Sequence, residues 1–457
     1  MMVHVRVFKP LLGFLPEIAP PVEKPALNER LKWTGFALLI FAIMSVVKPL
    51  GIATGSQAAF LQNLQLITAS SIGTLATLGI GPIVMASIIL QLLVGAGFIQ
   101  FNQQNPEERQ IFQGTQKLGA VVFAFVEAII YTMSGFVPSA PGAFSVFILI
   151  LQLAFAAIVL IYLDELIGKY GIGSGVGLFI AAGVSFNIIW GAFSWISQEG
   201  VFIGQVPLLF QSLLGGDLEG SALLILLSTI AVFLVVVFAE SMKIEIPITF
   251  GQQRGMSGKY PLKFFYVSNM PVIFAAALLA NVQLWGIFLQ SAGLPILGTF
   301  VQNQPTGGLA YYLSNPFGYL SSPENIVTTL SSMDRLMNIG VYALFMIIFC
   351  IIFGKFWVEM QGLGPKQVAS QMQGLGWQIP GFRRDPRVIE KVLEKYIPMV
   401  TVLGSAAVGL LAVIADLTGA LGTGTGILLT VGILYRLYEE LASQQAFELM
   451  PALRGIL

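Results

Sequence analysis

The chain has 457 residues, of which 56% are hydrophobic and only 10% are charged, and its formal net charge is zero. Because so few charges cannot cover a soluble surface of this size, lipid must be the solvent for much of the protein. The single cysteine, Cys350, excludes an internal disulfide framework, and the single histidine, His4, argues against a buried His/Cys metal site. We therefore expect no metal, no cofactor and no enzymatic chemistry.

Residues 1–30 are interrupted by prolines and lack a cleavable apolar core, which predicts a cytoplasmic N-terminal segment and not a signal peptide. Beyond them, ten segments are apolar enough to cross a membrane, which takes about 20 residues. Each must be a helix, because lipid offers no partner for free backbone groups. The ten predicted spans are Leu31–Val47, Leu75–Ile99, Gly119–Phe136, Phe144–Leu163, Val176–Ile196, Ala222–Ala239, Phe264–Leu289, Met337–Trp357, Val400–Leu421 and Gly424–Leu441. The sequence thus predicts an all-α membrane protein.

The basic residues are distributed unevenly between the two sides of the predicted membrane. With the N-terminus inside, 21 of the 23 Lys and Arg residues lie on one side, and only Lys48 and Arg335 lie on the other. Basic residues beside spans are retained in the cytoplasm, so the pattern predicts that both termini are cytoplasmic. Many of these charges lie in two loops, 241–263 and 359–396. The second loop ends in a predicted amphipathic helix that begins at Pro386.

The order of long and short connectors suggests two halves of five spans each. The first and the sixth spans are each followed by a long connector, but one connector lies outside and the other inside. An inverted-topology duplication has this arrangement. We therefore expect an N-terminal half over residues 31–200 and a C-terminal half over residues 201–457.

The connector after the first span, Pro49–Ser71, is too polar and too short to cross the membrane. Its apolar residues recur at helical spacing, which predicts a short amphipathic helix. These residues are Phe60, Leu61, Leu64 and Ile67. The helix either lies on the external interface or re-enters the bundle, and re-entry is allowed only inside protein or beside a water-filled cavity.

Two spans begin with glycine-rich stretches that are followed by aliphatic pairs. Ile80 and Val84 share a face of the second span, and Val176 and Ile180 share a face of the fifth. Glycines at these starts permit another chain to approach closely. The pairs are compatible with a narrow hydrophobic constriction, which gates by dewetting. The alternative is that they face lipid, as most aliphatic pairs of membrane helices do.

Polar residues inside predicted spans are expensive in lipid and mark functional interiors. Glu127 lies in the middle of the third span, Asn281 in the seventh and Asp416 late in the ninth. They could form interhelical hydrogen bonds, worth about 1 kcal/mol each. A carboxylate near the membrane midplane would also suit an ion-coupled transporter, with Glu127 as its ion site. Asp416 lies near the external end of its span, where we expect it to reach water.

The two basic loops carry more charge than orientation requires. Anionic lipid is one candidate partner, since it attracts each nearby cationic charge by about 1 kcal/mol. Arg383 and Arg384 are clustered in a turn between Pro380 and Pro386, and arginine forks at such a turn suit phosphate groups. Because no aromatic residues alternate with these charges, we expect contacts to backbone phosphate and no direct reading of DNA.

Four long stretches of the chain resemble the SecY family, the channel subunit of the protein translocase, in its archaeal form. They are IGTLATLGIGPIVMASIILQLLVGAG, IYLDELIGKYGIGSGVGLFIAAGVS, KYPLKFFYVSNMPVIFAAALLANVQLWG and LGTGTGILLTV. The resemblance covers nearly the whole chain. It implies two pseudo-symmetric, inverted five-helix halves around an hourglass-shaped pore, which opens sideways between the second and third spans and the seventh and eighth.

The resemblance also implies roles for individual residues. The hydrophobic pore ring falls on Ile80, Val84, Val176, Ile180, Ile273 and Leu429. The plug would be residues 57–70, which favours the re-entrant placement. The lateral-gate cluster falls on Glu127 and Asn281, with Met85 at the position of the family's hydroxyl partner. The residues that would dock the ribosome are Arg254, Arg383 and Arg384.

We therefore expect a passive channel in the cell membrane that conducts unfolded polypeptides outward and releases apolar segments sideways into lipid. The implied partners are the ribosome, signal peptides and nascent chains, a SecE-like subunit and a small third translocon subunit. The alternative from another class is a ten-span ion-coupled secondary transporter. A third hypothesis is a membrane insertase without a pore.

Overall fold

The computed structural model describes residues 3–4, 16–23, 25–52, 73–100, 105–198, 201–215, 220–250, 257–267, 269–301, 304–374, 377–378 and 386–449. The helices within these ranges are α1 (Leu27–Met44), α2 (Gly81–Gly95), α3 (Pro106–Met133), α4 (Ala143–Tyr170), α5 (Gly175–Phe193), α6 (Gln205–Gly215), α7 (Gly220–Ser241), α8 (Met270–Ser291), α9 (Leu309–Tyr312), α10 (Pro323–Ser331), α11 (Met333–Met360), α12 (Pro365–Gly374), α13 (Pro386–Leu417) and α14 (Gly424–Leu449). The strands are β1 (Val3–His4), β2 (Ile99–Gln100), β3 (Ser197–Gln198), β4 (Val201–Phe202), β5 (Lys243–Phe250), β6 (Ser257–Lys263), β7 (Thr299–Val301), β8 (Gln304–Gly307) and β9 (Trp377–Gln378).

All ten predicted spans contain a helix, which confirms the all-α class. These ten helices are α1–α5, α7, α8, α11, α13 and α14. In the described part of the chain, eight helical stretches are long and apolar enough to cross a membrane. The other two, α1 and α14, carry charged residues such as Arg30 and Glu440 near one end. The strands are short and lie in the connections between helices.

Several helix boundaries differ from the predicted spans for local reasons. The helix α2 begins at Gly81 and not at Leu75, because Pro82 fits the first turn of a helix but not its interior. The helix α3 begins at Pro106, where the side chain of Asn105 accepts a hydrogen bond from the Glu107 N–H at 3.0 Å. The predicted amphipathic helix and the ninth span are one continuous helix, α13, with Pro398 in its interior.

The first basic loop folds into a β-hairpin, which the sequence patterns did not predict. Strands β5 and β6 pair antiparallel over seven residue pairs from Lys243 and Lys263 to Thr249 and Ser257. Strand β9 joins the other edge of β5, so that a three-stranded sheet forms. Apolar residues of the sheet, including Ile246 and Leu262, pack with α12 and with the first turns of α13 in a separate cluster. We call this side of the bundle the hairpin end.

The arrangement of the helices fits two inverted halves. The second helix of the first half, α2, runs toward the hairpin end, whereas the second helix of the other half, α8, runs away from it. The third helices, α3 and α11, are opposed in the same way. One buried apolar cluster contains residues from both halves. An ion pair also joins α1 to α14, between Arg30 Nη2 and Glu440 Oε1 at 3.0 Å.

Candidate functional site

Five of the six predicted ring residues lie in this central cluster. Ile80 comes from the turn before α2, Val84 from α2, Ile180 from α5, Ile273 from α8 and Leu429 from α14. Each of the five side chains is at most 4% exposed. The sixth residue, Val176, is half-buried and packs against the same cluster. The structure therefore brings these side chains together from both halves, although they are far apart in the sequence.

A cavity of about 360 Å³ lies on the hairpin side of this cluster, and we call it the chamber. Three predicted ring residues, Val84, Val176 and Ile273, contribute to its wall. The polar residues of the wall are Ser87, Gln91, Arg109, Gln113, Gln116, Asp164, Ser174 and Gln361. Seven of these eight belong to the first half, and Gln361, directly after α11, belongs to the second. The other wall residues are apolar, so the chamber has a mixed lining that is polar mainly on the side of the first half.

The glutamines of this chamber were not among the predicted site residues. A local signal was present, because Ser87 and Gln91 are four residues apart on the apolar helix α2. Gln113 and Gln116 lie on one face of α3 in the same way. The Oε1 atom of Gln91 is buried and has no hydrogen-bond partner in the described part of the chain.

A second cavity, of about 560 Å³, adjoins the chamber between α3, α4 and the N-terminal segment. The two cavities share Gln113, Gln116, Asp164 and Ser174 as wall residues. The N-terminal segment is held there by hydrogen bonds from Lys117 Nζ to the Pro16 carbonyl at 2.6 Å and from the Tyr170 hydroxyl to the Ala19 carbonyl at 2.9 Å. Residues 16–19 are thus attached to the hairpin ends of α3 and α4.

The two helix pairs of the predicted lateral gate are in contact toward both ends. At the hairpin end, α2 and α11 approach so closely that a Cβ atom on Gly95 would lie 2.4 Å from Cε1 of Phe356. Toward the other end, Ala124 of α3 packs in one buried cluster with Ala280 and Leu284 of α8. Both contacts therefore place small residues where the two helix pairs approach closely.

The three predicted gate residues are buried, but they form no shared hydrogen-bond network within the described residues. Met85 is 2% exposed, Glu127 is 4% exposed and Asn281 is 5% exposed. The Asn281 amide donates to the Ala277 carbonyl of its own helix at 2.9 Å. Neither carboxylate oxygen of Glu127 has a partner in the described part of the chain, and Met85 has no hydroxyl to donate. Among the described residues, neither Glu127 nor Asn281 forms the expected interhelical hydrogen bond.

Asp416 does not reach water, so that prediction was wrong. Its side chain is fully buried and accepts hydrogen bonds from four groups. They are the Thr425 N–H at 2.9 Å, the Thr425 hydroxyl at 2.5 Å, the Tyr342 hydroxyl at 3.2 Å and the Asn315 amide at 3.2 Å. The loop between α8 and α11 covers this end of α13, because the Gly318 N–H donates to the Asp416 carbonyl at 3.0 Å.

The predicted plug helix, with Phe60, Leu61, Leu64 and Ile67, lies outside the described residues. The chain that follows it is described and runs through the interior. Residues 74–80 form turns and not a helix, and all except the half-buried Leu75 are buried. Their backbone is tied to the end of α1 by bonds from the Leu75 N–H to the Val47 carbonyl at 2.9 Å and from the Ala76 N–H to the Met44 carbonyl at 3.2 Å. Irregular backbone therefore lies inside the protein next to Ile80, as a re-entrant segment requires.

Arg254, Arg383 and Arg384 also lie outside the described residues. The strands beside them are described, and the sheet brings the two loops together. Strand β5 leads into the loop with Arg254, and β9 leads into the loop with Arg383 and Arg384. Thr249 of β5 pairs with Gln378 of β9, and Phe250 pairs with Trp377. The two basic loops, separated by more than a hundred residues in the sequence, are therefore joined through neighbouring strands, although the chain leaves these antiparallel strands in opposite directions.

A bundle of apolar helices that surrounds a partly polar chamber, bordered by aliphatic side chains, defines a multi-pass membrane protein with the architecture of a channel. The SecY family model matches residues 74–438 of the chain. The protein translocase subunit SecY of Methanocaldococcus jannaschii is 47% identical over 455 residues, which are 98% of each chain. The chain therefore belongs to the SecY family.

Solved structures of such channels have the same fold. A protein-conducting channel superposes with a TM-score of 0.85 and 47% identity, over 97% of this chain and 98% of the other. Sec61 in the canine ribosome–channel complex from the endoplasmic reticulum has a TM-score of 0.82 and 46% identity, over the same shares. The ten-helix, two-half arrangement fits both of them. A secondary transporter is not favoured.

Proposed function

We propose that the protein is the channel subunit of a protein translocase, which conducts unfolded polypeptides across the membrane and releases apolar segments sideways into lipid. The observation that carries the proposal is the chamber that borders aliphatic side chains of both halves. Its polar wall residues, most of which are uncharged, let a hydrophilic chain enter. The aliphatic ring of Ile80, Val84, Val176, Ile180, Ile273 and Leu429 then closes around the chain and limits the passage of ions.

The plug and the lateral gate complete this mechanism. Residues 57–70 close the pore from the far side at rest, in keeping with the buried, irregular backbone that follows them. An arriving apolar segment displaces the plug and separates α2 and α3 from α8 and α11. Met85, Glu127 and Asn281 lie among these helices and are exposed as they part. The segment then leaves through the gap into lipid, without any chemical step.

The orientation of the channel follows from its charges. The two basic loops at the hairpin end support an orientation with this end and both termini in the cytoplasm. Arg254, Arg383 and Arg384 dock the ribosome, whose exposed phosphates suit arginine forks. The canine Sec61 relative was solved in a ribosome–channel complex. A SecE-like subunit and a small third subunit brace the two halves, and the exposed apolar faces of helices such as α7 contact lipid or these subunits.

The channel is tested with the purified complex, including its partner subunits, reconstituted into vesicles. A hydrophilic secretory chain should become protected from added protease inside the vesicles. A pore-free insertase would integrate apolar segments but leave the hydrophilic chain accessible. Saturable uptake of a small solute that is lost in Glu127→Gln would instead support a transporter and contradict the proposal.

Docking is tested by co-sedimentation of the complex with ribosomes. The double variant Arg383→Glu plus Arg384→Glu should lose most of the binding at moderate salt. The matched control is Lys391→Glu plus Lys395→Glu, which makes the same charge change at two exposed positions on α13. The control should keep most of the binding. An equal loss in both variants would assign docking to the overall charge of the loop and not to the two arginines.

A further inference from the structure

Asp164 caps the fifth helix of the first half. It lies near the C-terminal end of α4, and its Oδ1 atom accepts a hydrogen bond from the Val176 N–H at 2.8 Å. The side chain of Ser174, two residues before Val176, accepts a second hydrogen bond from the Gly177 N–H at 3.4 Å. Gly175 lies against α4, where a Cβ atom would be 2.6 Å from the Cα atom of Asp164. The first turn of α5 is therefore held against α4 at a fixed position.

Asp416 caps the fifth helix of the second half with the same set of contacts. Its Oδ1 atom accepts from the Thr425 N–H at 2.9 Å, and Thr423 Oγ1 accepts from the Gly426 N–H at 3.0 Å. Gly424 lies against the preceding helix, where a Cβ atom would be 2.0 Å from the carbonyl carbon of Ala415. The stretch Thr423-Gly424-Thr425-Gly426 thus repeats the roles of Ser174-Gly175-Val176-Gly177.

The two caps are equivalent positions of the inverted halves. Each joins the fourth helix of a half to the fifth, and they lie at opposite ends of the bundle because α5 begins at the hairpin end and α14 at the other end. Ile180 follows the capped residue Val176 by four positions, and Leu429 follows Thr425 by four. Both are ring residues, so each aspartate lies one helical turn from the predicted constriction.

The two caps differ in one respect that bears on the ring. Val176 is apolar and contributes to the ring, whereas the hydroxyl of the equivalent Thr425 donates to Asp416 Oδ2 at 2.5 Å. The chain also enters the caps differently, since Thr423 has φ 61° and Ser174 has φ −111°. The helix α14 accordingly supplies one ring residue where α5 supplies two.

We infer that Asp164 and Asp416 are positioning residues for the pore constriction, which they set through the first turns of α5 and α14. The first N–H groups of a helix have no intrahelical partner, and leaving a buried one unsatisfied costs about 1–3 kcal/mol. A carboxylate at the N-terminus satisfies them and interacts favourably with the helix dipole. Without it, α5 can shift or rotate, and a slip by one residue moves Ile180 by about 1.5 Å along the axis and about 100° around it. This inference rests on the proposed function.

The test is the resting ion conductance of the reconstituted complex. Asp164→Leu keeps the size of the side chain but removes the acceptor, and it should raise the conductance about fivefold, which corresponds to the loss of a cap worth about 1 kcal/mol. Asp164→Asn keeps an acceptor oxygen and should stay within about twofold of the unmodified complex. The matched control is Glu165→Gln, which weakens the ion pairs to Lys117 and Lys169 on the same helix but leaves the cap intact. It should lower thermal stability without raising the conductance.

The second cap is tested with a glycine, because Asp416 has further partners and its loss could prevent folding. Gly424→Ala should raise the conductance, since the added methyl group pushes α14 away from α13. Gly340→Ala on α11 has no atom within 4 Å of the added group and should leave the conductance unchanged. The inference is overturned if folded Asp164→Leu conducts like the unmodified complex, or if Glu165→Gln leaks equally. If substitution of the ring residues raises the conductance but the cap variants do not, the inference about the caps is contradicted and the proposed ring is retained. If neither kind of substitution raises the conductance, the proposed ring is contradicted as well.

Discussion

The constriction and the lateral gate are both closed and buried, but they are held together differently. The side chains of the proposed constriction are all aliphatic, and Ile180 of α5 and Leu429 of α14 lie one turn beyond a capped helix start. The proposed gate also contains small residues, and it buries the two oxygens of Glu127 without partners in the described chain. A buried acceptor without a hydrogen bond costs about 1–3 kcal/mol. We therefore propose that the constriction stays sealed and that the gate parts.

This difference between the ring and the gate fits the two directions in which the channel passes polypeptides, across the membrane and sideways into lipid. A ring of aliphatic side chains can yield around a passing chain and close again, because it contains no bonds that must be re-formed. Opening the gate instead gives water or a passing polar group access to oxygens that have no partner in the closed structure. This gain offsets part of the packing that is lost when α2 and α3 separate from α8 and α11.

The largest effect on the gate is expected from Gly95→Val. The new side chain would overlap the ring of Phe356 and separate α2 from α11, at a cost of about 3 kcal/mol. The variant should integrate weakly apolar segments that the unmodified channel rejects, as measured by glycosylation or protease mapping of a test segment. Phe356→Ala should relieve the overlap and restore the original threshold. A threshold that does not change in Gly95→Val would contradict the close contact at this end of the gate.

A smaller effect of opposite sign is expected from Glu127→Leu. Removing the unpartnered carboxyl should stabilise the closed gate by about 2 kcal/mol. The thermal midpoint of the complex should rise, and the integration of weakly apolar segments should decrease. Glu107→Leu, near the exposed start of the same helix, is the control and should not raise the midpoint. A lower midpoint in Glu127→Leu would show that the carboxyl has a stabilising partner.

The smallest effect is expected from a substitution in the hairpin, far from the constriction and the gate, and it concerns the stability of the folded complex. The Lys259 ammonium donates to Glu245 at 2.5 Å and lowers the pKa of that carboxyl. A carboxyl with a lowered pKa stabilises the folded state above its unfolded pKa of about 4.3, and this contribution is lost as the pH falls through the folded value. Glu245→Gln should therefore be slightly less stable than the unmodified complex at neutral pH and equal to it in acid. Resting conductance should not change, and a leak in this variant would link the hairpin to the constriction.

The spans and the ring pairs could be predicted because their signals are local. Hydropathy identified all ten helices, and the spacing of Val176 from Ile180 placed this pair on one face of α5, whereas Ile80 lies in the turn before α2 and not on the helix of Val84. The burial of Asp416 could not be predicted, because its partners Tyr342 and Asn315 come from distant segments. Strand β9 is only two residues long, so its pairing with β5 has no periodic pattern in the sequence.

The start of α2 was predicted too early for a physical reason. Residues 75–80 are as apolar as the helix that follows, so hydropathy does not separate them from it. Their backbone is instead bonded to the end of α1, a contact between separate segments. At this position, hydropathy therefore indicates that the residues are buried but does not indicate whether they are helical.

The most direct test of the account is the resting ion conductance of the complete complex in a planar bilayer. Ile80, Val84, Ile180 and Ile273 would be replaced together by asparagine, with Leu227, Ile230 and Leu234 on the exposed face of α7 as the control set. The ring variant is expected to leak ions without a translocating chain, because a polar ring stays wetted. The control variant should stay closed if it assembles. A ring variant that assembles normally and conducts no more than the unmodified complex would contradict the claim that these aliphatic side chains form the seal.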